Sequence, residues 1–515
     1  MTTITTSGDD LIGPREVRPE FAAVARGGAA SIVGALMAAL ANFALVLVVA
    51  HGVDKVRAGQ FFALISVFLV AELVCRLGAD TSLVYFIARW IKLDTKALIR
   101  PGLQAAFVPT VSAAFIAGVT LFVLAPQAVN LVVTGPVGSD ATMALRVLAG
   151  FLPVAVCYDL VIGATRGFGT MRPTVLVEKI GRPVLQLALV WLAVLAGRHS
   201  SLTSAWVAPY AVVLIAAFWM LHRLGVPHRA PRHRYSTQRR VSAEFWKFTA
   251  PRAVAGVAQM LMQRLDIILV AALVGLRAAA IYTAATRFIV VGQFVNQAVS
   301  APVQPRLSAR LAVHDRQGAK ALYRVSTTWL VLLMWPLFGA CIALAPTYLA
   351  VFGRGYGDAV AVVVLLSASM LLASACGLVD SVIIMAGHTS WNMATALVAL
   401  AINVGVDVWL IPDHGIIGAA IGWCAAVAAS NLLALALAWF GLTLHPFGTS
   451  VGVAVLLTGV CFVVVPISVA LVSGSQLAVA IVLVLATAVL AAVVWRMRDL
   501  FALEGLLRRR TVVNT

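Results

Sequence analysis

The chain is poor in charge: Asp, Glu, Lys and Arg make up 11% of its 515 residues, against 62% hydrophobic residues and a mean hydropathy of +0.98. Composition this far from an average soluble domain excludes most globular architectures. Catalytic signatures are also missing. No GxSxG, HExxH, Walker-type loop or dinucleotide fingerprint occurs, which argues against a hydrolase or an ATP-driven pump, so no catalytic residue is expected. The six cysteines (Cys75, Cys157, Cys341, Cys376, Cys424 and Cys461) form no CxxC pair. They indicate neither a disulfide framework nor a metal site and read as small apolar packing residues. Long polar segments between the apolar runs on one side are lacking as well, and with them room for chemistry outside a bilayer. No removable signal peptide is expected, because the first twenty residues mix Asp9, Asp10, Glu16 and Glu20 with Arg15 and Arg18.

What is present is a series of about fourteen apolar stretches, each near the ~20 residues needed to cross hydrocarbon. They begin near Gly28, Phe61, Pro101, Ala141, Pro173, Thr203, Phe248, Ala279, Ser326, Asp358, Asn392, Gly415, Phe447 and Gln476. Basic residues fall into alternate gaps. One set holds Arg89, Lys92, Lys96 and Arg100; Arg166 and Arg172; Arg223 to Arg240; Arg306 to Arg324; and Arg496 to Arg510. The other holds only Lys55, Arg57, Arg198, Arg277 and Arg354. By the positive-inside rule both termini are cytoplasmic. The fold class expected is an all-α polytopic membrane protein. The net charge of +18 belongs to span ends and anionic headgroups, not to nucleic acid.

The longest cytoplasmic gap divides the chain almost in half. Its run Pro227 to Arg234 is a proline-broken linker whose His228 and His233 lie among arginines that repel a metal cation. Each half opens alike: Phe21 to Ser31 answers Phe245 to Gly256, and Gly59-Gln60-Phe61-Phe62-Ala63 answers Ala280-Ile281-Tyr282-Thr283-Ala284. Nearly equal offsets suggest a duplicated six-helix unit in parallel orientation. The organisation expected is a segment 1–27, an N-lobe over 28–224, a basic linker over 225–244, a C-lobe over 245–442, two further spans over 443–495 and a basic tail over 496–515. Two stretches, Pro305 to Arg324 and the one after Arg496 (Leu500, Phe501, Leu503 and Leu507 before Arg508 to Arg510), have the pattern of helices lying in the interface; plain connectors fit equally well.

Charge within a span costs about 2.5–3.5 kcal/mol on insertion scales and so faces a cavity or a partner. The second span carries Glu72, Arg76 and Asp80, which steps of four place on one stripe. The seventh carries Arg264 and Asp266, whose spacing turns them to different sides. The eighth carries Arg287 above Gln293, Asn296 and Gln297, while Asp159, Glu178 and Asp380 lie in the fourth, fifth and tenth. Glu72, Arg76, Arg264, Asp266 and Arg287 are assigned to a central polar cavity. Arg146, Arg182 and Asp407, near span boundaries, are read as structural. Gly418 and Gly422 form a small-xxx-small face for close helix packing.

Pro251 followed by Asp266, then Ala280-Ile281-Tyr282 and Pro302-Val303-Gln304-Pro305, resemble the second-lobe opening of polysaccharide repeat-unit flippases. These belong to the multidrug/oligosaccharidyl-lipid/polysaccharide exporter superfamily. Asn403 through Ile411-Pro412, Gly415 to Ala420, and Gly78 to Arg89 are similar to further stretches of that family, so the resemblance covers roughly residues 20–495. It implies two six-helix lobes, plus two C-terminal helices, around a cavity opened alternately to either side. It implies a transporter, not an enzyme, that moves polyprenyl-diphosphate-linked oligosaccharide to the outer leaflet of a bacterial plasma membrane. Arg76, Arg264 and Arg287 are then the candidate phosphate ligands, because a guanidinium fork pairs two oxygens at once. Asp266, Glu72 and Asp380 are the candidate coupling carboxylates, with Na+ or H+ as the coupling ion and no other cofactor. A polysaccharide polymerase or glycosyltransferases are candidate partners. A lipid II flippase, a multidrug–cation antiporter and a membrane glycosyltransferase remain as alternatives.

Overall fold

The computed structural model describes residues 17–132, 138–224 and 234–497. The Pro227 to His233 part of the linker and the tail from Arg498, with its expected interfacial helix, lie outside the described residues. Among the described residues thirteen helices are long and apolar enough to cross a membrane. The π-helical turn Thr174–Gly181 running into Arg182–Leu195 supplies another rod of membrane-spanning length, marked out by its charges.

Numbered as membrane rods, these are α1 (Val17–Gly52), α2 (Lys55–Arg76, then Ala79–Lys92), α3 (Ile99–Val123), α4 (Gly138–Gly167), α5 (Thr174–Leu195) and α6 (Leu202–Val207, then Pro209–Arg223). The second lobe holds α7 (Arg234–Leu273), α8 (Leu276–Ala285, then Ile289–Ala312), α9 (Arg316–Ala343), α10 (Val360–Cys376, then Val379–Met385), α11 (Thr389–His414) and α12 (Ile416–Gly441). Two more, α13 (Thr449–Ser473) and α14 (Gln476–Arg496), pack on α9. The protein is thus an all-α polytopic membrane protein with two six-helix lobes and a C-terminal pair. Its outer surface is apolar where a soluble protein's would be polar: Phe440, Leu471 and Val472 are each more than four-fifths exposed. Lipid is the solvent for such side chains, so the lobes cohere by close packing and by hydrogen bonds.

Polar residues set the helix starts. The Asp54 carboxylate accepts the Arg57 N–H at 3.0 Å, and Asp315 accepts that of Gly318 at 2.8 Å. The second of these caps falls inside Pro305 to Arg324. That stretch is no single interfacial helix; it is the end of α8, a turn at His314 (φ 58°) and the start of α9.

The lobes meet at the end of the bundle opposite the basic loops, called here the sparse end. There α2 lies so close to α8 that a Cβ on Gly59 would fall 1.6 Å from the Leu276 carbonyl oxygen. Beside this contact the Lys55 ammonium sits 5.3 Å from the Tyr356 ring. At the basic end the junction is α7. Its first half leaves the C-lobe and docks on the N-lobe, with Phe245 5.4 Å from Phe86, Phe248 stacked on Tyr85 at 4.5 Å and the Trp246 Nε1–H donated to the Ala105 carbonyl. Its second half packs along α11.

Candidate functional site

In the N-lobe, α2 breaks at its charged stripe. Leu77 and Gly78 both take positive φ (51° and 69°), which a glycine tolerates at no steric cost. Bare Gly78 also lets α7 pass, its absent Cβ lying 3.4 Å from the Ala253 backbone. After the break Asp80 returns beside Arg76, at 3.5 Å, while Arg76 Nη1 reaches Asp159 of α4 at 2.7 Å. Glu72, only 5% exposed, lies beside the same Asp159 carboxyl group. Arg76 is therefore already satisfied by two carboxylates.

Arg182 is placed by the π-helical turn before it. Pro183 has no N–H to give, and the Arg182 N–H bonds to Val177, five residues back. The shift sets the guanidinium between Tyr158 and Tyr210, with ring centroids at 5.7 and 5.2 Å, and Nη1 donates to the Tyr210 hydroxyl at 2.8 Å. Its Nε is buried without a partner. Among the described residues no carboxylate comes within salt-bridge distance of Arg182.

The C-lobe presents the complementary charges. Arg264 and Asp266 diverge around α7, as a two-residue step on a helix requires. Arg264 turns to the surface between the lobes, where its neighbours are Arg287 of α8 and Tyr210 of the N-lobe. Arg287 occupies the break between the two parts of α8, donating from Nε to the Thr283 carbonyl at 3.0 Å and from Nη2 to the Thr286 hydroxyl at 3.3 Å. Neither arginine has a carboxylate partner among the described residues. Below them α8 exposes Gln293, Asn296 and Gln297.

Asp266 turns the other way, into a second buried cluster. Its Oδ2 accepts the Tyr282 hydroxyl at 2.8 Å, and the group lies against the Asp407 carboxyl and the Asn403 carboxamide on α11. Asn403 Nδ2 lies 3.2 Å from Asp407 Oδ2. Space for this cluster comes from Gly422 on α12, whose Cβ would fall 2.0 Å from Asp407 Oδ1. Gly418 one turn away packs against the Leu410 backbone instead. Oδ1 atoms of Asp266, Asn403 and Asp407 are all buried with no hydrogen-bond partner, and no basic group pairs with either acid among the described residues. Three hard oxygens left open in an apolar interior have the chemistry of a small monovalent cation or proton site.

The sequence-derived candidates thus separate. Arg264 and Arg287 come together, Arg76 and Glu72 share a network, and Asp266 stands in a different pocket. Asp380, in the first turn of the second part of α10, is exposed and joins neither cluster. Arg182, Asp159, Asp407 and Asn403 were not among those candidates. Asn403 and Asp407 are one helical turn apart within a span, a polar pair that spacing alone makes visible.

The family model described as "Polysaccharide biosynthesis protein" matches residues 103–361, half of the chain. No curated protein matches the chain. Among solved structures, the lipid II flippase MurJ in its inward closed conformation is similar over 92% of this chain and 99% of its own, at 11% identity and a TM-score of 0.71. An inward-facing multidrug resistance MATE family transporter of the MOP superfamily covers 79% of this chain and 94% of its own (13% identity, TM-score 0.66). A MOP superfamily transporter from Pyrococcus furiosus, described as having a binding pocket of reversed polarity, covers 82% and 95% (16% identity, TM-score 0.56). At these identities the likeness is one of fold. Family match and fold together place this chain in the polysaccharide biosynthesis protein family, built on the membrane-transporter fold of the MOP superfamily.

Proposed function

We propose that this protein flips a polyprenyl-diphosphate-linked oligosaccharide from the cytoplasmic to the outer leaflet of a bacterial plasma membrane by alternating access. The observation that carries this reading is the set of Arg182, Arg264 and Arg287. These three guanidinium groups come from both lobes and lack carboxylate partners among the described residues of a membrane protein. An unpaired intramembrane charge is costly, and an anion that both lobes can grasp removes the cost. A diphosphate supplies that anion while its lipid tail stays in the bilayer. Arg76, held by Asp159 and Asp80, positions the N-lobe side of the site.

Outward release of about two negative charges is favoured by an inside-negative potential, by about 2.3 kcal/mol per charge for each 100 mV. The remaining drive comes from a cation at Asp266, Asp407 and Asn403. Because these residues join α7 to α11 and α12, occupancy there biases the packing of the C-lobe. Orientation follows from the basic loops, which put both termini in the cytoplasm.

Depletion in the native cell followed by extraction of polyprenyl-linked intermediates tests the reading. One lipid-linked glycan should accumulate and stay protected from an externally added glycan-modifying enzyme. If the protected species is lipid II, the cargo is the peptidoglycan precursor. No accumulation, with altered drug tolerance, rejects the flippase assignment in favour of multidrug export.

A further inference from the structure

At the sparse end the N-lobe holds a cavity of about 610 Å3 that takes no part in the reading above. Asp54, Arg57 and Gln60 at the start of α2, Asp140 at the start of α4, and His199 and Thr203 at the turn into α6 line it. Its volume is that of a small-molecule site, for which about 300–1,000 Å3 is usual. Further along α2 and α6 lies an aromatic layer in which Phe68, Trp206 and Tyr210 pack at 5.9 Å from one another. Gln60 and Arg76 lie on the same helix, ~24 Å apart at 1.5 Å per residue. The cavity is therefore separate from the arginine site.

Its polar groups are unusual for their lack of partners. Gln60 and Thr203 are 9% and 5% exposed, yet neither side chain has a protein hydrogen bond among the described residues. His199 Nδ1 is buried and likewise unpaired. The Gln60 and Thr203 side chains line the cavity with their bonding capacity unused by the protein, so a ligand there can complete the bonding. The set is neutral and works both ways: the amide donates and accepts, the hydroxyl does both, and the imidazole does either. At the rim two acids, Asp54 and Asp140, outnumber the one base, Arg57, which Asp54 already engages at 3.5 Å. Phosphate is disfavoured by that balance. No group of three metal-ligating side chains gathers here among the described residues. Hydroxyl-rich neutral or amino sugars fit both the walls and the rim.

We propose that this cavity is a carbohydrate subsite on the sparse face, taking terminal sugar rings of the transported glycan. The proposal rests on the flippase reading for the identity of the cargo, not for the chemistry of the cavity. The test uses the full chain in nanodiscs and saturation-transfer NMR with a panel of neutral and amino disaccharides. Inorganic pyrophosphate binding is measured separately on the same samples. At least one disaccharide should receive saturation transfer, and Gln60→Leu and Thr203→Val should weaken it at least tenfold. Both variants are close in volume to the native residues, and thermal unfolding checks that they are folded. Pyrophosphate affinity should not change in either. No transfer to any sugar, or transfer that survives both substitutions, overturns the subsite. Sugar binding without pyrophosphate binding leaves the subsite standing and removes the arginine site instead.

Discussion

Replacing Gly422 with alanine probes the Asp266–Asp407 cluster by adding one methyl group. The new Cβ would lie 2.0 Å from Asp407 Oδ1, 3.0 Å from its Cγ and 3.3 Å from the Asn403 carbonyl oxygen. In an unobstructed helix the change gains about 0.5–1 kcal/mol, because alanine loses less backbone freedom on ordering. Here the carboxylate must move by more than an ångström within a packed interior, and overpacking of that kind costs about 1–3 kcal/mol. The net expectation is a loss of about 1–2 kcal/mol. Gly405→Ala on the facing helix is the control, since nothing lies within 4 Å of its absent Cβ; it should gain the full helix term. Unfolding in detergent, followed by tryptophan fluorescence with and without Na+, reads both effects. If the cluster binds Na+, the native protein at 100 times its Kd gains about 2.7 kcal/mol, and the Gly422→Ala variant gains nothing. A Gly422→Ala protein as stable as Gly405→Ala would refute the crowding at Asp407, and an intact Na+ response in it, or none in the native protein, would refute a Na+ site at this cluster.

Four other outcomes follow from the same geometry. Asp266→Asn should abolish transport in the depletion assay while the protein still reaches the membrane folded; full transport would remove the coupling role. Arg287→Gln and Arg264→Gln should each weaken pyrophosphate binding about 10- to 100-fold, the loss of one charge-assisted bond worth about 1.5–3 kcal/mol, as measured by calorimetry. Gly59→Ala pushes a methyl group into the Leu276 carbonyl and should part the lobes at the sparse end, lengthening the distance between spin labels at Arg57 and Arg277. At the basic end, breaking the exposed Arg89–Glu244 pair (2.9 Å) should cost under about 1 kcal/mol, whereas Phe245→Ala, fully buried, should cost about 3–5 kcal/mol in the same unfolding assay.

Hydropathy and the alternation of basic loops were enough to count and place the spans, because lipid imposes one length and one surface chemistry on every rod. Of the stripe Glu72, Arg76, Asp80, helical spacing made the first two legible as neighbours, whereas Asp80 reaches Arg76 across a break that the spacing does not show. Partnership across helices was not legible. Nothing local tells Arg76 that Asp159, 83 positions on, completes its coordination. Arg182 looked like a boundary residue because its orientation depends on a π-helical turn that hydropathy does not register. Asp407 looked structural until α7 and α12 brought Asp266 and a glycine against it. The halves also differ in ways an internal repeat conceals. The break in α2 comes after Arg76, deep in the rod, whereas α8 breaks after Ala285, only ten residues from its start.

The docking of α7 bears on how members of such a family can be recombined. Its 40 residues belong to both bodies, the first half seated on Phe86 and Ala105 and the second on α11. A chimaera joined anywhere before Arg234 would give the recipient N-lobe a foreign strut, with the wrong side chains facing its aromatic seat. The natural seam lies within the helix, near Gly256, where no atom comes within 4 Å of the missing Cβ and packing gives no reason for a glycine. Domain exchange in this architecture is a splice through a continuous helix, and its success depends on matching the register there.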